Sequence, residues 1–335
     1  MVKAMKYVIV SNFDYREPAD LKLLALKLLE EELPPLQDGE YLVEAECFSV
    51  VYPYMTFSVQ NFPRGTTMLG YQVAKIIESK NPDFPVGKKI IGSLGWRTHT
   101  IIDSKTKQSY LLPNIGDLPS SLGLGVLGIP GNTAYFGLLE ICKPKSGETI
   151  VISGAASPVG THVGQIAKIL GLNVIGICSS DEKCKFLTEE MGFDFAINYM
   201  TTPIDIKLRK VAPQGVDCYF DITGGIISSM VMYEMNTFGR VAVCGSTSTC
   251  AMDSLSYLKG RILQPTIFSN QLKVEGFSVK RWLDRWNEGI MQNLQWIREG
   301  KLRYRETVTK GFENMFDVFI RGVRGGIIGT AIVQV

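Results

Sequence analysis

The stretch Ile150-Val-Ile-Ser-Gly-Ala-Ala-Ser-Pro-Val-Gly-Thr-His-Val-Gly164 constrains the fold more tightly than any other part of the chain. An apolar run, Thr149–Ser153, ends in a turn of small residues, and apolar positions then recur at helical spacing over Val159–Leu170. The order strand, tight turn, helix is the context a dinucleotide fingerprint requires. Small residues at Ala155, Ala156 and Ser157 let backbone amides approach a pyrophosphate, and the N-terminal end of the helix favours the anion. Val159 and Gly160 complete the turn, and Gly160 and Gly164 permit close packing of helix on strand. Ser157-Pro158 departs from a strict Gly-x-Gly spacing. Proline is tolerated in the first helical turn, where its missing N–H has no intrahelical partner anyway.

The flanking texture sets the fold class. Residues 1–120 read as mostly β, with strands expected at Tyr41–Cys47, Tyr71–Ile77 and after the Val86-Gly87 turn. Beyond residue 120, strand, turn and helix alternate, which argues for a parallel sheet covered by helices. Further strands are expected at Asn173–Cys178, Gly215–Asp221 and Gly239–Gly245, and helices at Asp181–Met191 and Arg281–Gly300. Lys301, Arg303 and Arg305 alternate as the solvated face of a strand would. Gly329–Val335 reads as a final strand that returns to the first domain. The 335 residues suit two domains, expected at 1–120 with 305–335 and at 121–304.

Cofactor choice is read at the tip of the second strand. An NAD site usually places Asp or Glu there to hold the ribose hydroxyls. Here Cys178 is followed by Ser179-Ser180-Asp181-Glu182-Lys183, which suits a 2′-phosphate better and favours NADP. Ser180 or Asp181 caps the helix that follows, and Asp181 in that role points at its own helix. With 35 Lys and Arg against 33 Asp and Glu and no basic run, nothing points to nucleic acid. No run is long and apolar enough to span a membrane, and the first ten residues carry no signal-peptide pattern. The seven cysteines are scattered, mostly inside apolar runs, which fits reduced thiols in a cytoplasmic protein. The two histidines, His99 and His162, and the absence of a Cys cluster argue against zinc. His162 reads as structural, and His99 as lining a pocket or capping a strand edge.

Longer stretches carry a resemblance. Glu32–Leu36, Gln72–Lys75, Gly95-Trp96 with His99, Pro130-Gly131, Gly164–Lys168, Ser180–Lys183, Asp217–Asp221 and above all Thr133-Ala-Tyr-Phe-Gly-Leu-Leu-Glu-Ile-Cys142 are the matching segments. On these the chain resembles the zinc-free leukotriene B4 12-hydroxydehydrogenase/prostaglandin reductase 1 family of the medium-chain dehydrogenase/reductase superfamily. The resemblance implies an α/β chain with a GroES-like β-rich barrel domain and a doubly wound Rossmann domain. It implies NADPH-dependent reduction of the double bond of small hydrophobic enones and enals, and a homodimer. Carried over residue by residue, the cofactor contacts are Lys183, Tyr199, Val159, Gly160, Cys244 and Gly245. Ser246 and Thr247 after that turn, and Phe277, join them.

Five departures from the family pattern remove polar groups. Ile222 stands for an Asn, Cys250 for a Tyr, and a second Tyr is replaced near Ser269. The family's Asp-Pro-Tyr-Met-Arg reads Tyr52-Pro53-Tyr54-Met55-Thr56, and its Asn-Leu-Gly-Lys reads Ile327-Ile328-Gly329-Thr330. These leave three outcomes open: a changed substrate, a weakened cofactor site, or a family-shaped protein that binds a hydrophobic ligand or partner without catalysis. A quinone reductase is a further alternative. Tyr54, retained, and Tyr71, where the family usually has Gln, are the candidate proton donors to the substrate oxygen.

Overall fold

The computed structural model describes residues 2–10, 26–50, 63–103, 105, 109–248 and 261–335. Among these the strands run, in chain order, β1 (Lys3–Ile9), β2 (Leu26–Glu32), β3 (Glu40–Ser49), β4 (Tyr71–Ser79), β5 (Lys89–Ser93), β6 (His99–Asp103), β7 (Ser109–Leu111), β8 (Thr149–Ser153), β9 (Asn173–Cys178), β10 (Phe195–Asn198), β11 (Val216–Asp221), β12 (Met235–Val243), β13 (Lys273–Gly276), β14 (Glu306–Lys310) and β15 (Thr330–Gln334). The α-helices are α1 (Ile129–Phe136), α2 (Pro158–Ile169), α3 (Asp181–Lys185), α4 (Ile204–Val211), α5 (Gly225–Met232), α6 (Gln264–Ser269), α7 (Trp286–Arg298) and α8 (Met315–Val323). The chain divides into two units, residues 1–125 with 306–335 and residues 126–305.

The first unit is β-rich. Its larger sheet has the order β14-β15-β3-β4-β5-β7, with β6 also on β3, and β1 and β2 form a separate antiparallel pair. Gly39, at φ 84°, makes the turn into β3 that only a residue tolerant of positive φ closes without strain. Every ladder of the larger sheet is antiparallel except β14 with β15. The final strand, β15, lies antiparallel to β3, with Ile332 opposite Ser49 and Gln334 opposite Cys47. One core of this unit gathers Phe48, Trp96, Met315 and Phe319, all fully buried, from β3, the Gly95-Trp96 turn and α8. Such aromatic side chains each bury on the order of 150–250 Å² and dominate a core. Ile327 packs against that core, so the family's polar residue is here replaced by an apolar contact.

The second unit is a six-stranded parallel sheet of order β10-β9-β8-β11-β12-β13. The chain runs outward from β8 to β10, then restarts beside β8 at β11. The carboxyl ends of β8 and β11 therefore form the switch point at which such sheets open a crevice. All five residues of β8 are buried, as a strand covered on both faces demands. Close packing here depends on missing side chains. A Cβ on Gly164 would fall 2.0 Å from the Phe193 ring, and one on Gly176 would fall 2.9 Å from Ala155 Cβ.

Three sequence expectations need correction. Residues 301–305 are irregular rather than a strand; Arg303 instead donates to the Glu190 carbonyl, and Lys301 pairs with Glu299. The Arg281–Gly300 helix is broken, because Trp282 sits at φ −118°, ψ 34°, stacked on Phe136, and α7 begins only at Trp286. After five residues, α3 widens into a π turn over Phe186–Glu190, which seats Phe186 and Leu187 in the core.

Candidate cofactor site

The glycine turn closes as its composition requires. Gly154 holds φ 60°, and the Ser157 amide donates to the Gly154 carbonyl at 3.0 Å. Ser157 caps α2, its hydroxyl accepting from the Gly160 amide at 3.1 Å, and Pro158 takes the first helical position. The Ala155 amide is spent within the sheet, donating to the Ile177 carbonyl at 3.1 Å. Val159, the second residue of α2, has no carbonyl four residues back within the helix, so its N–H is one of the first-turn donors that the helix itself does not pair. A Cβ on Gly160 would stand 2.6 Å from both Ala155 Cα and the Gly154 carbonyl oxygen. Those are backbone atoms, so the cradle exists only with glycine there.

Beneath the turn lies a buried polar network that sequence reasoning misses. Ser153 Oγ donates to Asp221 Oδ1 at 3.0 Å and accepts from the Ile222 and Thr223 amides. Asp221 Oδ1 also accepts from the Tyr219 hydroxyl at 2.9 Å and the Gly224 amide at 2.8 Å. Asp221 is 2% exposed. Burial, with Asp221 close by, pushes the Tyr219 phenol well above its ordinary range, so it stays a neutral donor. The network ties the ends of β8 and β11 together and fixes the path of residues 222–224. The available signal is a polar residue, Ser153 or Asp221, closing each of two otherwise buried strands.

The turn after β12 is laid against that path. Cys244 N donates to the Asp221 carbonyl at 2.9 Å, Thr247 N to the Ile222 carbonyl at 3.2 Å and Ser248 N to the Thr223 carbonyl at 3.0 Å. A Cβ on Gly245 would come within 3.0 Å of the Ile222 carbonyl oxygen, and one on Gly224 within 2.4 Å of Ser246 Oγ. Ile222 is itself buried. Phe277, after β13, sets its ring edge-on to Phe220 at 6.1 Å and to Trp282 at 5.7 Å.

At the tip of β9, Ser180 caps α3 by accepting from the Lys183 amide, and Lys183 Nζ donates to Ser179 Oγ at 3.2 Å. Asp181 accepts from the Asn198 side chain at 2.8 Å and so is engaged away from the tip. Burial lowers the Lys183 pKa below the usual lysine value. Tyr199 follows β10, 39% exposed, with its amide on the Cys178 carbonyl. It borders an open groove of about 550 Å³ lined by Met200, Pro203, Ile204, Ile227 and Met230.

The sequence-derived cofactor residues thus follow the carboxyl ends of β8, β9, β10, β12 and β13. Tyr71, half-buried at the start of β4, pairs in the ladder with Ser49 and Ser93 and packs near Val73, Leu124 and Ile332. Tyr54 and Cys250 lie outside the described residues. Ser269 ends α6, its hydroxyl on the Thr266 carbonyl. His162 is wholly buried on α2, and His99 opens β6 with Nδ1 on Thr98 Oγ1.

Residues 18–109 match the model for the N-terminal domain of oxidoreductases, and residues 158–296 that for zinc-binding dehydrogenases. The chain is 42% identical to prostaglandin reductase 1 of Oryctolagus cuniculus over 333 residues, 99% of this chain and 93% of the relative. It belongs to the prostaglandin reductase 1 family of the medium-chain dehydrogenase/reductase superfamily. Other members of the superfamily match over similar lengths. The NADPH-dependent curcumin reductase of Escherichia coli is 33% identical, over 92% of this chain and 91% of that one. The crystal structure of CurA from Vibrio vulnificus in complex with NADPH superposes with a TM-score of 0.88 at 31% identity, over 98% of both chains. Although one matched model is described as zinc-binding, no group of three or more His, Cys, Asp or Glu side chains gathers among the described residues. Nor is any helix among them long and apolar enough to cross a membrane.

Proposed function

We propose that this chain reduces the carbon–carbon double bond of small α,β-unsaturated ketones and aldehydes, with NADPH as reductant. The observation that carries the cofactor is the Gly160 cradle, open only because no Cβ stands there, beside a strand tip that offers Lys183, Ser179 and Ser180 in place of a carboxylate. The fit is to a dinucleotide diphosphate with a further phosphate at the tip. Bound there, NADPH supplies the hydride that reaches the β-carbon.

The chain's own residues do the rest. The amides of Ala156 and Val159 line the turn at the helix N-terminus, where anions are favoured. Lys183 meets the 2′-phosphate as a charged donor, and Tyr199 and the groove beside it take the adenine face. Residues Cys244, Gly245, Ser246 and Thr247, held by the 222–224 backbone, border the nicotinamide end, and Phe277 closes the apolar side. The oxygen that gains negative charge needs a proton donor, and the phenols of Tyr54 and Tyr71 are assigned that role. A homodimer is supported by β13, which among the described residues pairs with β12 alone and carries Val274 at 41% exposure. A cytoplasmic setting is supported by the unpaired thiols.

The test is fluorescence titration of the purified protein with NADPH and with NADH, followed by turnover of an enone. NADPH binds more tightly. Lys183→Ala weakens it by about 2 kcal/mol, roughly thirtyfold, with little effect on NADH. If Tyr54→Phe and Tyr71→Phe both leave turnover unchanged, the donor assignment is wrong. Tight NADPH binding without turnover would identify a ligand-binding family member instead. No binding of either nucleotide would sink the reductase reading. Light scattering that returns a monomer would remove the dimer.

A further inference from the structure

Two thiols meet at the strand tip that carries the cofactor-discriminating residues. Cys178 closes β9 and is 4% exposed, while Cys184, on α3, is half-buried. Their sulfurs stand 3.1 Å apart. Between them in the chain lie Ser179, Ser180 and Lys183, whose mutual hydrogen bonds set the shape of the tip. Cys178 Sγ also contacts the Ser180 carbonyl at 3.6 Å. Five residues separate the two cysteines, one ending a strand and one in a helix, so no cysteine-spacing rule finds them.

We propose that Cys178 and Cys184 are a redox modification site that closes to a disulfide and, by reshaping the Ser179–Lys183 tip, weakens NADPH binding selectively. The inference rests on the reading of that tip as the 2′-phosphate site. A disulfide needs its sulfurs about 2.05 Å apart, so closure draws the sulfurs together by roughly an ångström. Lys183 is the immediate neighbour of Cys184 and moves with it. A charged hydrogen bond to phosphate depends on its geometry, whereas NADH presents no phosphate at this point.

The co-reactant is a hydroperoxide. Cys184 is the more exposed of the pair, so the hydroperoxide reaches it first and it is the attacking sulfur, its thiol raised by burial with the hydrogen bond from Cys178 acting against that rise. It takes the terminal oxygen as the O–O bond breaks, giving a sulfenic acid and, after proton uptake, an alcohol. The Cys178 sulfur then attacks the sulfenic sulfur, the S–O bond breaks and water leaves. Two thiols lose two electrons and two protons, and one hydroperoxide becomes alcohol and water. A dithiol reductant reverses the closure.

The experiment treats the full-length protein with hydrogen peroxide, caps the remaining thiols, and maps linked peptides by mass spectrometry. NADPH and NADH affinities are measured before and after. We expect a Cys178–Cys184 cross-link, NADPH affinity lowered about tenfold or more, NADH affinity unchanged, and full recovery with dithiothreitol. Cys184→Ser, which alters no proposed cofactor contact, binds NADPH as the reduced protein does and no longer responds to peroxide. A cross-link that leaves NADPH affinity unchanged overturns the switch but leaves the reductase reading intact, as does peroxide sensitivity that persists in Cys184→Ser. Failure of the reduced protein to bind NADPH overturns both, while the peptide map still reports separately whether the two thiols pair.

Discussion

His162 shows how one buried side chain couples this protein to pH. It sits on α2 with its Nδ1 lacking any hydrogen-bond partner among the described residues, and burial lowers its pKa from 6.5 to about 4. Between those values the unfolded chain binds a proton that the folded chain does not, so stability rises with pH across the window and is lost as pH falls through it. The full cost amounts to about 3 kcal/mol. Urea unfolding at pH 7.5, 6 and 5 should show this loss, and His162→Phe should flatten the slope across that window. An unaltered slope in the variant would assign the pH dependence elsewhere. The sequence marks His162 as structural because it falls inside a helical run after the glycine turn. The places of Ser157 and Gly160 in the turn and of Lys183 at the strand tip are equally legible, since they follow from neighbours a few positions away. Ser153, Tyr219 and Asp221 are not, because Ser153 and Asp221 meet across 68 positions of chain. No local pattern shows which strands lie side by side.

At the level of the element, α2 and its turn form a unit that tolerates little change. Gly160→Ala places a methyl against two backbone atoms that cannot swing aside, and overpacking of this kind costs about 1–3 kcal/mol. It should lower the thermal midpoint and abolish NADPH binding together. Ser157→Ala removes only the cap, costs about 1 kcal/mol, and leaves measurable binding. Equal binding losses in the two variants would mean that the cap, rather than the cradle, controls the site. Strands β8, β9, β11 and β12 are legible from their apolar runs and the turns that bound them. The interruption at Trp282 is not, because the apolar spacing of 281–300 continues through it. What breaks the helix is a ring stacking on Phe136, a contact from another element.

For the whole molecule, the informative strand is the last. The β15 strand supplies a neighbour to both β3 and β14, and α8 just before it carries much of the aromatic core of the same unit. Ending the chain before Thr330 should raise hydrogen exchange through β3 while β8 keeps its protection. Equal loss in both strands would show that the two units do not fold separately. That Gly329–Val335 forms a strand is legible from its run of β-branched and apolar residues after a glycine. Its partner is not legible, since several early strands share the same alternation. The arrangement also sets an order in time. On a ribosome adding roughly 5–20 residues per second, residues 1–125 leave the exit tunnel with their sheet incomplete. They wait for the roughly 200 residues up to β15 to be synthesised, and the parallel sheet of 126–305 is complete before they are. The nascent first unit therefore leaves the Cys47–Ser49 end of β3 without its β15 partner for some tens of seconds. In this protein, the N-terminal segment is made first and finished last.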